Sequence, residues 1–409
     1  MIYTRKFPHL LKITTSGIIF IGMNYIFGNT TETEELKNRF VKYAKIWSES
    51  NGELADKGIF PSTERQWDMA KNMIEELNTL GLQNVQLTDK CYVYANLPGN
   101  GDSVLLMAHM DTVDEVTGQN VNPVITQKDG DTIISSDHST LLGGDDKAGI
   151  AAIMTALAWF KKHPEKQHHP VEVIFSPDEE TGHGMDFVPL NLIKSKRAYT
   201  VDGGDEGEME TECFNAWSAT VSFTGKACHT GDAKKGKMVN ASLIASEFVN
   251  QLPQNMRPET TENHEGFIAV MKMSSCIENS EVELLLRSFS LEEINEEKRI
   301  IEKAAFVAAQ KFGGTANVLF NQQYLNMKEK LDSAPQVVAE LEKAYEASNV
   351  KIIRKPIRGG TDGSRLTEMG IPTPNIFTGA HEYHSRNEWV SLNQMSKAAD
   401  ILINLLLAE

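Results

Sequence analysis

Apolar and polar positions follow two periods along this chain. From Thr31, the TETE start is a helix-capping signal, and Leu36, Phe40, Tyr43 and Trp47 follow as an apolar stripe at helical spacing. A second helix is predicted over Thr63–Leu80 (TERQWDMAKNMIEELNTL), closed by Gly81 as a C-cap. Short unbroken apolar runs come next, each ending in a polar loop: Val104–Ala108 before HMDT, Val171–Phe175 before SPDEE, and Ala198–Val201 before DGG. Runs of that length predict buried strands. Ala148–Lys162 (AGIAAIMTALAWFKK) predicts a helix between the first two, so strand and helix alternate as in a layered α/β unit. In such sheets, loops at the carboxyl ends of the strands gather in one crevice. The three polar motifs are therefore expected to meet.

After Glu212 the texture changes. Alternation over Trp217–Phe223 predicts a strand, Met238–Leu252 a helix, Glu281–Phe289 a strand and Leu291–Phe312 a charged helix. These elements have apolar faces of their own, which points to an inserted α+β unit over 213–322. The expected plan is an α/β domain built from 33–212 and 323–409, with a mixed sheet flanked by helices, interrupted by that insert. A helix over Pro335–Ser348 leads back to GGTDG and the closing HEYHSRNEWV.

Composition narrows the function classes. A chain of 409 residues is long enough for two domains, and 41% hydrophobic with 23% charged residues is the balance of an ordinary globular protein. The net charge of −16 argues against a nucleic-acid partner, which would need clustered Lys and Arg. The four cysteines show no CxxC spacing and predict neither a zinc ribbon nor a disulfide framework. Reduced thiols in a cytoplasm fit best. Residues 1–32 are the exception, because Arg5, Lys6 and Lys12 precede the apolar run GIIFIGMNYIFG, which is too short for a stable membrane span. Three readings stay open for it: an upstream or non-native start, an export signal, or an apolar segment packed on the domain.

The strand-end motifs carry the chemistry. His109 and Asp111 in HMDT are two residues apart, so their side chains project the same way, and a carboxylate is a common partner that fixes an imidazole's tautomer. Asp145 and Asp146 in LLGGDDKAG repel each other unless a cation compensates; one of them could instead cap the following helix. Asp178, Glu179 and Glu180 crowd the mouth of an apolar strand, where a dication would reverse the repulsion. Asp202 closes another strand, and His384, with His381 nearby, lies close to the C-terminus. Imidazoles mixed with carboxylates suit zinc better than calcium or magnesium. The number of donors points to two ions sharing a carboxylate, a hydrolase arrangement.

The ordered set HMDT, LLGGDDKAG, SPDEETGHG, TVDGG, HTG, GGTDG and EYH resembles the M20 metallopeptidases, and among them the aminotripeptidases. The similarity runs from about Glu35 to the C-terminus. The resemblance implies two Zn²⁺ per subunit: one on His109, Asp145 and Asp202, the other on Asp145, Glu180 and His384. It also implies that Glu179 is the general base, that Asp111 orients His109, and that His229 of the insert stabilises the oxyanion. Arg287 and Arg358 would receive the substrate's C-terminal carboxylate, with Asn240 a further substrate contact. The implied activity is release of the N-terminal residue from short peptides, most of all tripeptides. An insert that carries both His229 and Arg287 must close over the metal domain to act, so an open form without ligand is expected. Dipeptidase or N-acyl amino acid deacylase activity is the alternative. The chain has RSFS where the family pattern is RDFD, and a shorter loop between HMDT and DDKAG; both bear on which peptide lengths fit. Short peptides are the expected partners, a homodimer is left open, and an exported enzyme is the alternative to a cytoplasmic one.

Overall fold

The computed structural model describes residues 31–408, so the apolar run at 17–28 and the readings attached to it lie outside the described residues. An eight-stranded mixed sheet forms the frame. Its order is Gln83–Leu87, Val93–Leu97, Val171–Ser176, Val104–His109, Ala198–Gly203, Asn375–Phe377, Glu208–Glu210 and Ile353–Arg354. Val104–His109 runs parallel to both of its neighbours.

The unbroken apolar runs have a simple cause. Along Val104–His109, Val104, Leu106 and Ala108 enter one core, while Leu105 and Met107 enter another on the opposite face. Both faces are dry, so every position from Val104 to Ala108 is apolar. The larger core is covered by the Gly144–Lys162 helix, which packs against the Thr31–Ala44 and Leu392–Leu406 helices. On the other face Glu172 is buried, and it is satisfied by the Tyr94 hydroxyl at 2.7 Å and the backbone N–H groups of Lys194 and Ser195.

The helix predicted from Thr63 begins at Gln66, because the Thr63 hydroxyl donates to the Glu49 carbonyl at 2.7 Å instead of capping. It ends at Leu80, and Gly81 supplies the left-handed cap at φ 83°.

Residues 215–324 build a separate antiparallel sheet, in the order Phe267–Ser275, Asn279–Ser288, Asn215–Thr224 and Thr315–Tyr324. The two outer strands were not predicted. The helices Ala241–Gln251 and Leu291–Phe312 cover this sheet, enclosing Val221, Phe223, Ile244, Phe248, Val282, Leu284 and Ile301 in a core of its own. Along Asn279–Ser288 buried positions alternate with more exposed ones, the period expected of a sheet with one wet face. A third sheet joins Val124–Lys128 and Asp131–Ser135 to Trp389–Ser391 and Ala380–His381, and so ties the C-terminal segment to the loop before Asp145.

Candidate metal centre and active site

Strand order assembles the site. Val104–His109 lies between Val171–Ser176 and Ala198–Gly203, all three parallel, so His109 emerges with the Glu179–Glu180 turn on one side and Asp202 on the other. Asp145 arrives from the start of the helix above. His109 Nε2 lies 2.8 Å from Asp145 Oδ1 and 3.5 Å from Asp202 Oδ1. The other Asp145 oxygen, Oδ2, is 3.3 Å from His384 Nε2, which is also 3.2 Å from Glu180 Oε2. One carboxylate thus faces two donor groups with its two oxygens.

The adjacent aspartates separate by their partners. Asp146 is fully buried; its Oδ2 accepts the His109 N–H at 3.2 Å and its Oδ1 the Gly149 N–H at 3.1 Å. Asp146 is the cap, and Asp145 faces the site. Donor atoms of His109, Asp145 and Glu180 lie within 4.8 Å of one another, as do those of His109, Asp146 and Asp202. The hydrogen bonds of Asp146 favour Asp145 as the shared ligand.

The electrostatics ask for positive charge. Burial, and then the nearby Asp145, push Glu180 above the usual carboxylate range. Burial and the neighbouring acids Asp202, Asp362 and Glu180 do the same to Glu179, outweighing the imidazole of His109. Burial alone would lower the pKa of His109, but Asp202, Asp111 and Asp145 hold it well above its ordinary value. Glu180 Oε1 is buried with no hydrogen-bond partner among the described residues. An orphaned carboxylate oxygen beside imidazoles and further carboxylates fits divalent ions of the zinc type.

A supporting shell fixes these groups. Asp111 accepts the N–H groups of Glu179 and Glu180 at 3.0 and 3.2 Å, and its own Oδ1 lies 3.4 Å from His109 Nδ1. It therefore orients the glutamate turn as well as the imidazole. Asp178 was expected to add a third acid to the mouth of the strand. Its carboxylate instead takes the Ser62 N–H at 2.7 Å, the Ser62 hydroxyl, and the Gln66 amide at 2.7 Å.

Sequence reasoning missed Glu388 and Asn375. Glu388 is buried and accepts the N–H groups of Leu142, Gly143 and Asp145 at 2.9, 2.7 and 3.0 Å, clamping the loop that presents Asp145. Asn375 accepts the Asp202 N–H at 3.0 Å and donates to Glu210 at 2.6 Å. The only sequence signal for Glu388 is an acid set before the apolar pair in NEWV, close to His384.

Asp145, Glu179, Glu180, Asp202 and His384 line a cavity of about 580 Å³, together with Glu208, Glu210, Tyr383, Asn263 and Arg358. His109 and Asp111 lie buried beneath it. His381 points elsewhere, paired with Asp205 at 2.7 Å and stacked on Trp389. Three expected substrate residues stand outside the lining. His229 is on the insert, accepting the Gly231 N–H at 3.2 Å. Arg287 donates to the carbonyls of Trp217 and Leu286 and stacks on Tyr324. Asn240 caps the Ala241–Gln251 helix through the Ser242 N–H at 2.9 Å.

Residues 105–408 match the family model for peptidase family M20/M25/M40. The chain belongs to this family. It is 39% identical over 403 residues to peptidase T of Clostridium perfringens and 39% identical over 405 residues to peptidase T of Geobacillus kaustophilus, in each case covering 91% of this chain and 98% of the relative. Among solved structures, aminopeptidase PepT from Bacillus cereus superposes with a TM-score of 0.75 at 24% identity, covering 91% of this chain and 98% of that one. A tripeptidase from Staphylococcus aureus gives 0.76 at 23% identity, covering 91% and 97%. These structural likenesses show the M20 fold, a mixed sheet flanked by helices with additional antiparallel sheets. No helix of the described residues is long and apolar enough to cross a membrane.

Proposed function

We propose that this protein is a tripeptide aminopeptidase of the peptidase T kind, using two divalent ions, with zinc the expected metal. The observation that carries the reading is Asp145, whose two oxygens face His109 and His384 separately while Glu179 stands beside them, surplus to ligation. The 39% identity to peptidase T over nearly the whole of that protein supports the same activity.

His109, Asp145 and Asp202 would hold one ion, and Asp145, Glu180 and His384 the other. Ions held there would supply Lewis acidity toward the scissile carbonyl and would lower the pKa of a water molecule toward neutral. Glu179 takes the proton from the attacking water and delivers it to the departing amine. Asp111 keeps Glu179 in place through its backbone N–H.

In this reading residues 213–322 act as a lid on the domain formed by 33–212 and 323–409. His229 and Arg287 lie outside the cavity lining, so their roles as oxyanion and carboxylate partners require the lid to move toward the metals. A cytoplasmic location is part of the proposal, supported by four free cysteines. The test is metal content by mass spectrometry on dialysed, zinc-reloaded protein, together with a tripeptide assay. Glu179→Ala is expected to keep two equivalents of zinc and lose turnover. Retained turnover, or fewer than two equivalents in the unsubstituted protein, contradicts the assignment.

A further inference from the structure

Six acids line the cavity, and four of them serve the metals and the proton transfer in the reading above: Asp145, Glu180 and Asp202 as ligands and Glu179 as the base. Glu208 and Glu210 remain. They are two residues apart on the Glu208–Glu210 strand, so both side chains leave it toward the cavity, while Met209 between them enters the larger core. Their partners set them apart. Glu208 Oε1 takes the Lys355 ammonium at 2.6 Å and its Oε2 the Asp205 N–H at 3.2 Å, so its charge is cancelled within the protein. Glu210 Oε2 accepts only a neutral amide, that of Asn375 at 2.6 Å, and its Oε1 has no hydrogen-bond partner among the described residues. The other cationic groups of the wall are engaged elsewhere: His384 with Asp145 and Glu180, and Arg358 with the carbonyls of Asn263 and Glu265, each at 2.8 Å.

Glu210 is only 7% exposed, and burial, then Glu208, push its carboxyl up to about 8, with Lys355 offsetting them only in part. A carboxylate buried in this way lacks a cation. Its place in the sheet shows where one would come from. Asn375 lies opposite Glu210 in the neighbouring strand and accepts the Asp202 N–H at 3.0 Å, so Asp202, Asn375 and Glu210 cross three adjacent strands in a row. Two strand spacings put the backbones of Asp202 and Glu210 about 10 Å apart, and both side chains face the cavity. An α-amino nitrogen is about 2.5 Å from the carbonyl carbon of its own residue. In an aminopeptidase that carbonyl is the scissile one, so the ammonium has to lie at the margin of the metal pair, within reach of this wall.

We infer that Glu210 receives the α-ammonium of the substrate on Oε1 and so sets the requirement for a free amino end, with Asn375 as the positioning residue that ties its carboxylate to the Asp202 strand. The inference rests on the aminopeptidase reading above and names the group that selects the amino end. A peptide blocked at that end leaves the buried carboxylate without its cation. Hydrogen bonds to charged groups are strong enough that losing one weakens binding by about tenfold or more.

The experiment uses the zinc-loaded Glu179→Ala protein, which binds without turning over, and measures Kd for trialanine and for propionyl-dialanine, which lacks only the amino group. Glu210→Gln keeps an acceptor oxygen for Asn375 and turns an NH₂ toward the ammonium, donor against donor. It is expected to weaken trialanine by about tenfold or more and propionyl-dialanine by less than about twofold. The double substitution Glu208→Gln with Lys355→Met removes the neighbouring ion pair without changing net charge, and should alter the ratio of the two constants by less than about twofold. Parallel losses for both ligands, an unchanged ratio in Glu210→Gln, a ratio that collapses in the double variant instead, or no preference for trialanine in the parent each overturn the inference. Failure of the aminopeptidase reading shows separately, as no turnover of trialanine by the unsubstituted zinc-loaded protein, and the Kd ratio decides the role of Glu210 either way.

Discussion

Replacing Glu388 by glutamine tests whether the metal centre depends on a residue that touches no metal. The Glu388 side chain accepts two N–H groups, from Leu142 and Gly143, on Oε2, and the Asp145 N–H on Oε1. Glutamine keeps one acceptor oxygen. If that oxygen serves Leu142 and Gly143, the new amide NH₂ faces the Asp145 N–H, donor against donor. The loss is one charge-assisted bond, about 1.5–3 kcal/mol, plus the penalty of a buried unsatisfied N–H, about 1–3 kcal/mol. Part of this is relieved by shifting the loop, which displaces Asp145 itself. Supporting residues of metal ligands commonly contribute 10–100-fold to affinity, so Glu388→Gln should lower zinc affinity by about that factor. The assay is chelator competition on the metal, paired with thermal unfolding of the metal-free protein. We expect both affinity and metal-free stability to fall. Unchanged affinity with lowered stability would show that Glu388 supports the fold alone; neither changing would refute the clamp.

Glu297 offers a stability test far from the metals. It is buried on the Leu291–Phe312 helix, both of its oxygens lack partners among the described residues, and burial pushes its carboxyl up to about 9. The folded pKa is above the unfolded value of about 4.3, so the folded state holds a proton the unfolded state releases, and stability should fall as pH rises from about 4.3 toward 9. Glu297→Met should remove that dependence and add about 1–4 kcal/mol at pH 8 in chemical denaturation, whereas an unchanged pH profile counts against it. Gly149→Ala places a methyl against the Val201 carbonyl, the residue before Asp202, and against Asp146. The cost, about 1–3 kcal/mol or more, should appear as lowered thermal stability and lost metal, and a well-folded variant with full metal content would be unexpected.

Much of the frame was legible because burial on both faces leaves a plain mark. Val104–Ala108 and Val171–Phe175 read as strands since each is apolar at nearly every position, and their ends carry the ligands. What local pattern cannot supply is the partner of each acid. Asp145 and Asp146 are adjacent and alike in sequence; only the N–H groups of His109 and Gly149 assign Asp146 to capping. Asp178 looked like a third acid of the site because its partners, Ser62 and Gln66, lie more than a hundred residues upstream. Glu388 and Asn375 work through bonds to distant backbone groups, which leave no motif. The outer strands of the separate antiparallel sheet escaped notice for another reason: Thr315–Tyr324 is exposed or half-buried throughout and Phe267–Ser275 is exposed over its last six residues, so their alternation is faint.

The most direct measurement is product analysis of a single tripeptide, a free N-terminal amino acid and a dipeptide being the products expected, beside its N-acetylated form, the matching dipeptide and tetrapeptide, and an N-acyl amino acid. The account predicts that the zinc-loaded protein releases the N-terminal residue from the free tripeptide fastest, acts poorly on the acetylated peptide, and loses this activity with Glu179→Ala. Preferential release of the acyl group, or cleavage that persists without Glu179, would contradict it.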